Sequence, residues 1–482
     1  MRGRMIDEYR AERIKKMNAF MERGINPFTA GPFEKQPSQQ VAELAVGQPA
    51  RVGGRIVLFR DMGNIAFATI QDEAGRIQIV LNKKEFTDDY KFWVRNLDLG
   101  DFIGVEGERF DTNKGERSVL VRKLTLLTKS LRPLPDKHKG LADEEIRLRK
   151  RYLDMIFNPE VKDMVYKIDR FWNSMRSFLK QKGFVEVFTP ALENVTGGGD
   201  ARPFVTHHNA LDIDVNLRIS MGELWQKRLM VGGLEKTFEI GRQFRNEGMS
   251  AEHLQDYTQM EFYWAYANYQ QGMALVEELF KHVAQETFGT LTFKMRGFEV
   301  DLGKPWERYD YAETLKKYTN IDIHTATLEE VTARLHELKV EYDKAGFNVA
   351  RGVDALWKYC RKKIAGPGFL VNEPLALSPL AKKSEANPQV VERFHVLIAG
   401  SELGNGYSEL NDPIDQAGRF AEQQKMRDAG DAEAQMNDHD FVEALEYGMP
   451  PTCGFGLSER VFAFLMDKPA RECQVFPLMK PL

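Results

Sequence analysis

From residue 4 to 23, Ile6, Tyr9, Ile14, Met17 and Met21 recur near helical spacing, with Arg10, Arg13, Lys15 and Lys16 between them. This predicts an amphipathic helix stopped by Gly24 and Pro27. Its basic side suits either a solvated helix packed on the next domain or one lying along an RNA backbone. From about Arg51 to Thr128 the pattern shortens to strands separated by turns: NIAFATIQD, RIQIVLN, DFIGVEGERF and RSVLVRKLTLL, with DEAG suiting a hairpin turn. So many short strands in one segment predict a small barrel of the OB type, a fold that stacks bases of single-stranded nucleic acid on aromatic side chains. Lys167 to Lys182 is predicted as a helix with Ile168, Phe171, Met175 and Phe178 on one side and Gly183 at its end. The strand FVEVFTP follows it.

The stretch Lys236 to Tyr266 reads as two strands joined by a polar loop. Side chains alternate along a strand, so Tyr257, Gln259, Glu261 and Tyr263 share one face and Thr258, Met260, Phe262 and Trp264 the other. The first face is either solvated or a binding site, because buried unpaired polar groups cost a few kcal/mol each. Asn405, Tyr407 and Glu409 alternate in the same way and predict a second polar sheet face. Three consecutive glycines in VTGGGDARPF allow a backbone to approach a ligand closely. Residues from about 312 to 368 read as a helical insertion, structural more than catalytic, with TLEE as a capping box.

Composition narrows the function. With 482 residues, 43% hydrophobic and 29% charged, the chain has material for two or three ordinary globular domains. A net charge of -4 gives no global basic footprint, so any RNA contact comes from local groups. Three scattered cysteines, Cys360, Cys453 and Cys473, make neither a disulfide framework nor a zinc site. They fit buried thiols in a reducing cytoplasm. No apolar run is long enough to span a membrane.

FRNEG at Phe244 to Gly248, followed by YTQMEFYWAYA, resembles motif 2 of the class II aminoacyl-tRNA synthetases, and within them the lysyl enzymes. The helix ending at Gly183 and its strand are similar to motif 1, which builds the dimer interface. GFGLSERVFAFLM resembles motif 3. The resemblance implies an α+β protein with an antiparallel-sheet catalytic domain behind an OB-fold. The expected order is helix 1–30, OB-fold 31–131, linker 132–149 and catalytic domain 150–482. It implies a cytoplasmic homodimer that joins L-lysine to tRNA(Lys) at the expense of ATP, with Mg²⁺.

The resemblance also distributes roles. Arg245, Glu247, His253, Tyr257, Glu402 and Arg460 are placed at ATP, with Arg245 at the α-phosphate, Arg460 at the γ-phosphate and Tyr257 against adenine. Arg245, Glu247 and Arg460 form the catalytic set. Gly198, Glu223, Glu261, Tyr263, Asn405, Tyr407 and Glu409 form the lysine pocket, with Glu223 at the α-amino group. Acids suit such a pocket, since an ammonium removed from water needs compensating charge. Phe67, Gln78 and Glu116 are placed at the anticodon; taken alone, Phe67 suits a core and the other two a surface. Glu402 matches a Mg²⁺ ligand. Three departures stand out: His395 where the family carries a second metal-binding acid, Glu252 where it carries an arginine near the phosphates, and a shortened motif 3 with Glu459 for Asp. Two other readings share the fold: a paralogue that passes lysine or an analogue to a protein, and a non-catalytic tRNA- or nucleotide-binding regulator.

Overall fold

The computed structural model describes residues 2–86, 88–135, 141, 143–199, 201–248, 250–342, 347–375, 378–428 and 436–481. Part of the expected linker (136–140 and 142), residue 200 of the glycine loop and 343–346 of the insertion lie outside the described residues. The chain divides into two compact units, Met1–Leu153 and Asp154–Leu482.

The first unit opens with helix α1 (Arg2–Glu22), then α2 (Ser38–Ala42). Five strands follow: β1 (Pro49–Asp61), β2 (Ile65–Gln71), β3 (Arg76–Asn82), β4 (Phe102–Asp111) and β5 (Arg117–Thr128), with α3 (Tyr90–Asn96) between β3 and β4. They close into a barrel in the order β1-β2-β3-β5-β4. The β3–β5 pair is parallel and the others antiparallel. The period of two decides what fills it: Ala66, Ala68 and Ile70 point inward with Ile77, Ile79, Val105 and Val119. Phe67 lies on the outer face, half-buried, and so is not a core residue.

The expected apolar stripe of α1 is its buried seam only in part: Ile6, Ile14 and Met17 are half-buried. Tyr9 and Met21 are more than half exposed, whereas Phe20 is fully buried against Phe92 and Trp93 of α3. Arg13 is buried as well, donating to the carbonyls of Leu99, Ser130 and Arg132, and Lys16 pairs with Asp98. Two of the four cations that suited an RNA backbone therefore hold α1 to its own unit, Arg13 through backbone carbonyls and Lys16 through a carboxylate.

α4 (Glu144–Arg149) and α5 (Arg151–Phe157) lead to α6 (Pro159–Gln181), the predicted long helix. β6 (Val185–Glu186) is much shorter than the strand expected there. A small sheet follows from β7 (Leu192–Glu193), β8 (Val205–His208) and β9 (Ile213–Leu217), then α7 (Glu223–Val231). The central hairpin is β10 (Lys236–Phe244) with β11 (Asp256–Ala265), and α8 (Tyr269–Phe288) packs behind it. After β12 (Thr292–Met295), β13 (Phe298–Asp301) and β14 (Glu307–Asp310), the helices α9 (Tyr311–Thr319), α10 (Leu328–Glu337) and α11 (Val349–Arg361) form the insertion. They pack round Leu315, Val331, Leu335, Leu356 and Trp357. The chain returns through β15 (Gly368–Val371), β16 (Arg393–Ile398) and β17 (Ser401–Ser408), then α12 (Pro413–Asp428) and α13 (His439–Glu446), and ends in β18 (Thr452–Ser458), α14 (Arg460–Leu465) and α15 (Ala470–Cys473).

Eight strands make one sheet in the order β14-β15-β16-β17-β18-β11-β10-β6. Its six central strands are antiparallel and each outermost pair is parallel, so the sheet is mixed. One face is apolar: Phe238, Met260, Phe262, Phe394 and Phe455 bury themselves beneath α6 and α8. The rings of Phe394 and Phe455 stack 5.7 Å apart. The polar alternates of the same strands are left on the opposite face.

Candidate active site

On that opposite face lies a cavity of about 310 Å³. It gathers Gly198, Glu223, Arg245, Glu247, His253, Tyr257, Glu261, Tyr263, His395, Glu402, Asn405, Tyr407, Glu409 and Arg460, which the sequence placed on several separate segments. Phe67, Gln78 and Glu116 belong to the barrel. Across β2–β3, Phe67 pairs with Val80 and Gln78 with Thr69, so the two are diagonal neighbours on one face. Gln78 donates to Ser118 Oγ at 3.0 Å, two residues from the exposed Glu116.

Strand register builds the cavity floor. β18 lies between β11 and β17: Gly454 sits opposite Tyr263 on one side and Tyr407 on the other, and Gly456 opposite Glu261 and Asn405. The flanking strands supply walls and the middle strand supplies space. A Cβ on Gly454 would run into Glu409 Oε1 and come within 2.7 Å of the Tyr263 ring; one on Gly456 would lie 3.0 Å from Glu261 Cγ. Gly198, with φ near 85°, closes over the edge, where a Cβ would lie 2.7 Å from that of Glu223.

The inner end is acidic. Glu223, Glu261 and Glu409 are all buried. Glu261 accepts from Met221 N at 2.9 Å, Gln259 Nε2 at 2.6 Å and Tyr263 Oη at 3.0 Å. Burial, and then Glu223 nearby, still push its carboxyl up to about 7. Burial holds Glu409 well above the usual carboxylate range despite its cationic neighbour. That neighbour is Lys227, one turn after Glu223 on α7. Its buried ammonium bridges Glu223 Oε1 at 2.7 Å and Glu409 Oε2. Tyr407 Oη also donates to Glu223. Asn405 Oδ1 is fixed by Arg393 Nε at 2.8 Å. Two of the three carboxyls share a single buried lysine and Glu261 has no cation beside it, so the pocket is short of positive charge and suits a ligand that brings ammonium groups.

The outer end carries arginines. Arg245 anchors its Nε on the Ile219 carbonyl at 3.3 Å. Arg460, at the start of α14, is paired with Glu252 at 2.7 Å, and Arg296 approaches the same carboxylate at 3.6 Å. Glu252 therefore occupies an arginine that an anionic ligand would need. Glu459 receives the amide of Thr258 at 3.2 Å, and burial raises it to about 7. Burial, followed by the charge of Arg460, lowers His253.

Glu402 and His395 do meet, with His395 Nδ1 3.8 Å from Glu402 Oε2. The other ring nitrogen lies 3.1 Å from Glu373 Oε2. Burial would raise Glu373, but His395 and Arg393 outweigh it and bring the carboxyl down to about 2. Glu402 Oε1 accepts from Trp357 Nε1 at 2.7 Å and faces Arg361 Nη1 at 3.5 Å. Both donors come from α11 of the insertion. It touches the cavity wall. Among the described residues, no group of three His, Cys, Asp or Glu side chains is arranged to hold a metal.

Lys227, Gly454, Gly456, Trp357 and Arg361 were missed from the sequence. The spacing of Glu223 and Lys227, four residues apart on one helix, was a usable signal for the first. The alternation in GFG was one for the glycines.

Residues 143–480 match the family model described as tRNA synthetases class II (D, K and N), and residues 50–127 match the OB-fold nucleic acid binding domain. The chain belongs to the class II tRNA synthetases. Within that class it falls with the lysine–tRNA ligases. It is 44% identical over 480 residues to the lysine–tRNA ligase of Moorella thermoacetica, covering 98% of this chain and 97% of that one. It is 42% identical to those of Thermotoga maritima (99% and 97% covered) and Streptococcus suis (98% of each).

Proposed function

We propose that this chain is a lysine–tRNA ligase: it activates L-lysine with ATP to lysyl-adenylate, releases pyrophosphate and transfers lysine to the 3′ end of tRNA(Lys). The observation that carries the reading is the charge layout of one cavity, acids at its inner end and arginines at its outer end. Glu223 takes the α-ammonium, and Glu261 with Glu409 takes the ε-ammonium. This turns the substrate carboxylate outward toward Arg245. ATP enters as its Mg²⁺ complex, with Tyr257 against adenine, Arg245 at the α-phosphate and Arg460 at the γ-phosphate; Glu247 and His253 complete the nucleotide end. The substrate carboxylate then attacks the α-phosphate, a bond forms between them, and pyrophosphate leaves with the electron pair of the broken P–O bond. Positioning and charge neutralisation suffice for this step. Phe67, Gln78 and Glu116 read an unstacked anticodon. The joint exposure of Val185 and Phe188 on the α6–β6 unit supports a homodimer that covers this face. No described helix is long and apolar enough to cross a membrane, and the three cysteines are free and buried, in keeping with a cytoplasmic protein.

Amino-acid-dependent ATP–pyrophosphate exchange, run with all the standard amino acids, tests the reading. Exchange with lysine supports it; exchange with another amino acid keeps the class and overturns the substrate.

The raised carboxyl of Glu261 gives the lysine step a pH dependence. In the empty pocket this acid is half-ionised near pH 7 and keeps its proton below that. A bound ammonium favours the ionised form, so lysine binding expels the proton and is favoured as pH rises. Between about pH 6 and the pKa, the KM for lysine is expected to fall by up to about tenfold per pH unit, levelling off above it. A flat KM profile in the exchange assay would remove Glu261 from the ammonium site.

Glu252 predicts the reverse of an ordinary active-site mutation. Because it pairs with Arg460, ATP must displace it, and Glu252→Gln is expected to lower the KM for ATP by a few-fold, the scale of about 1 kcal/mol for a partly buried ion pair. A higher KM would show that Glu252 assists the nucleotide.

A further inference from the structure

We infer that the cluster around Glu402 holds no metal ion of its own, and that side-chain cations from the insertion and from β16 stand there instead. The inference rests on the reading that ATP occupies the cavity. Five side chains form a continuous row: Arg393, Glu373, His395, Glu402 and Arg361. The steps along it are 3.4 Å from Arg393 to Glu373, 3.1 Å from Glu373 to His395, 3.8 Å from His395 to Glu402 and 3.5 Å from Glu402 to Arg361. Its two carboxylates are flanked by two guanidiniums, so their charge is balanced without an ion. Glu402 is engaged at both oxygens, Oε1 by Trp357 and Arg361 and Oε2 by His395.

The donor chemistry agrees. Mg²⁺ demands near-ideal octahedral oxygen donors at about 2.0–2.1 Å and sheds water reluctantly. Here a single carboxylate faces the cavity at this point, and its neighbour is an imidazole, a ligand suited to softer ions. Both ring nitrogens of that imidazole already face carboxylates. A guanidinium cannot be deprotonated in this context and is well matched to phosphate oxygens. Arg361 therefore neutralises Glu402 at a point where a second bound cation would otherwise be needed. The metal requirement reduces to the ion that ATP carries in.

The test is a count. Full-length protein is titrated with Mn²⁺ in the presence of lysine and the non-hydrolysable analogue α,β-methylene ATP, and bound Mn²⁺ is read by electron paramagnetic resonance against bound nucleotide. A single Mn²⁺ per nucleotide is expected; two or more overturn the inference. His395→Glu restores a second oxygen donor and is expected to gain an ion, and a folded variant with an unchanged count speaks against the substitution of cation for metal. Arg361→Met serves as the second variant. It is expected to raise the Mg²⁺ concentration needed for half-maximal exchange several-fold while leaving the KM for lysine unchanged; an unaltered Mg²⁺ requirement overturns the role given to Arg361. Lysine-dependent exchange on the same wild-type preparation tests the parent reading separately. Exchange together with a count of two sinks only the metal argument, whereas absence of exchange with lysine sinks the ligase reading.

Discussion

Replacing Glu409 with Gln is expected to lower kcat/KM for lysine by about two to four orders of magnitude while leaving ATP binding nearly unchanged. The carboxylate is buried at the inner end of the cavity, against Gly454 of its floor. Its loss alters a closed charge count. Three acids face one fixed cation, Lys227, and a lysine substrate brings two ammonium groups, so the filled pocket is neutral. With Gln at 409 an ammonium is buried without its counter-charge, which costs about 3–5 kcal/mol when a buried pair is broken. Exchange kinetics with varied lysine, alongside nucleotide affinity by calorimetry, separate the two effects. Unchanged lysine activation would mean that the acid end does not receive the substrate.

Arg245→Lys is expected to act on the other parameter. The guanidinium is oriented by its Nε contact to the Ile219 carbonyl, a hold that a lysine cannot reproduce. If its terminal nitrogens meet the α-phosphate as charge develops there, the substitution lowers kcat of exchange by about 10²–10³-fold, the usual cost of removing a preorganised transition-state donor. The KM for lysine stays close to its original value. A variant that keeps full kcat would move the α-phosphate elsewhere.

How much of this was readable beforehand depends on the range of the signal. The barrel strands and the faces of β11 and β17 follow from a period of two, which acts between adjacent residues and survives in any context. Glu261 was legible for the same reason, since polar residues alternating with Phe and Met on a central strand have to face something, whereas Glu223, on α7, was expected only from the resemblance. Lys227 was not, because a lysine on a helix is ordinarily solvated, and only the fold brings Glu409 to its ammonium. Trp357 and Arg361 lie some forty residues before Glu402, and their meeting depends on the packing of α11 against the sheet. On α1, helical periodicity gave the helix and part of its seam, and it missed Arg13, which turns inward to hydrogen-bond three backbone carbonyls.

The absent side chains of Gly454 and Gly456 also govern how this pocket can change. On the central strand nothing remains to be trimmed, so a version that accepts bulkier lysine analogues has to gain its room from Tyr263 or Tyr407. Both phenols donate hydrogen bonds to the pocket's acids. Enlarging the chamber and loosening its grip on the ammonium are thus the same mutation, and broader substrate scope will arrive together with weaker discrimination.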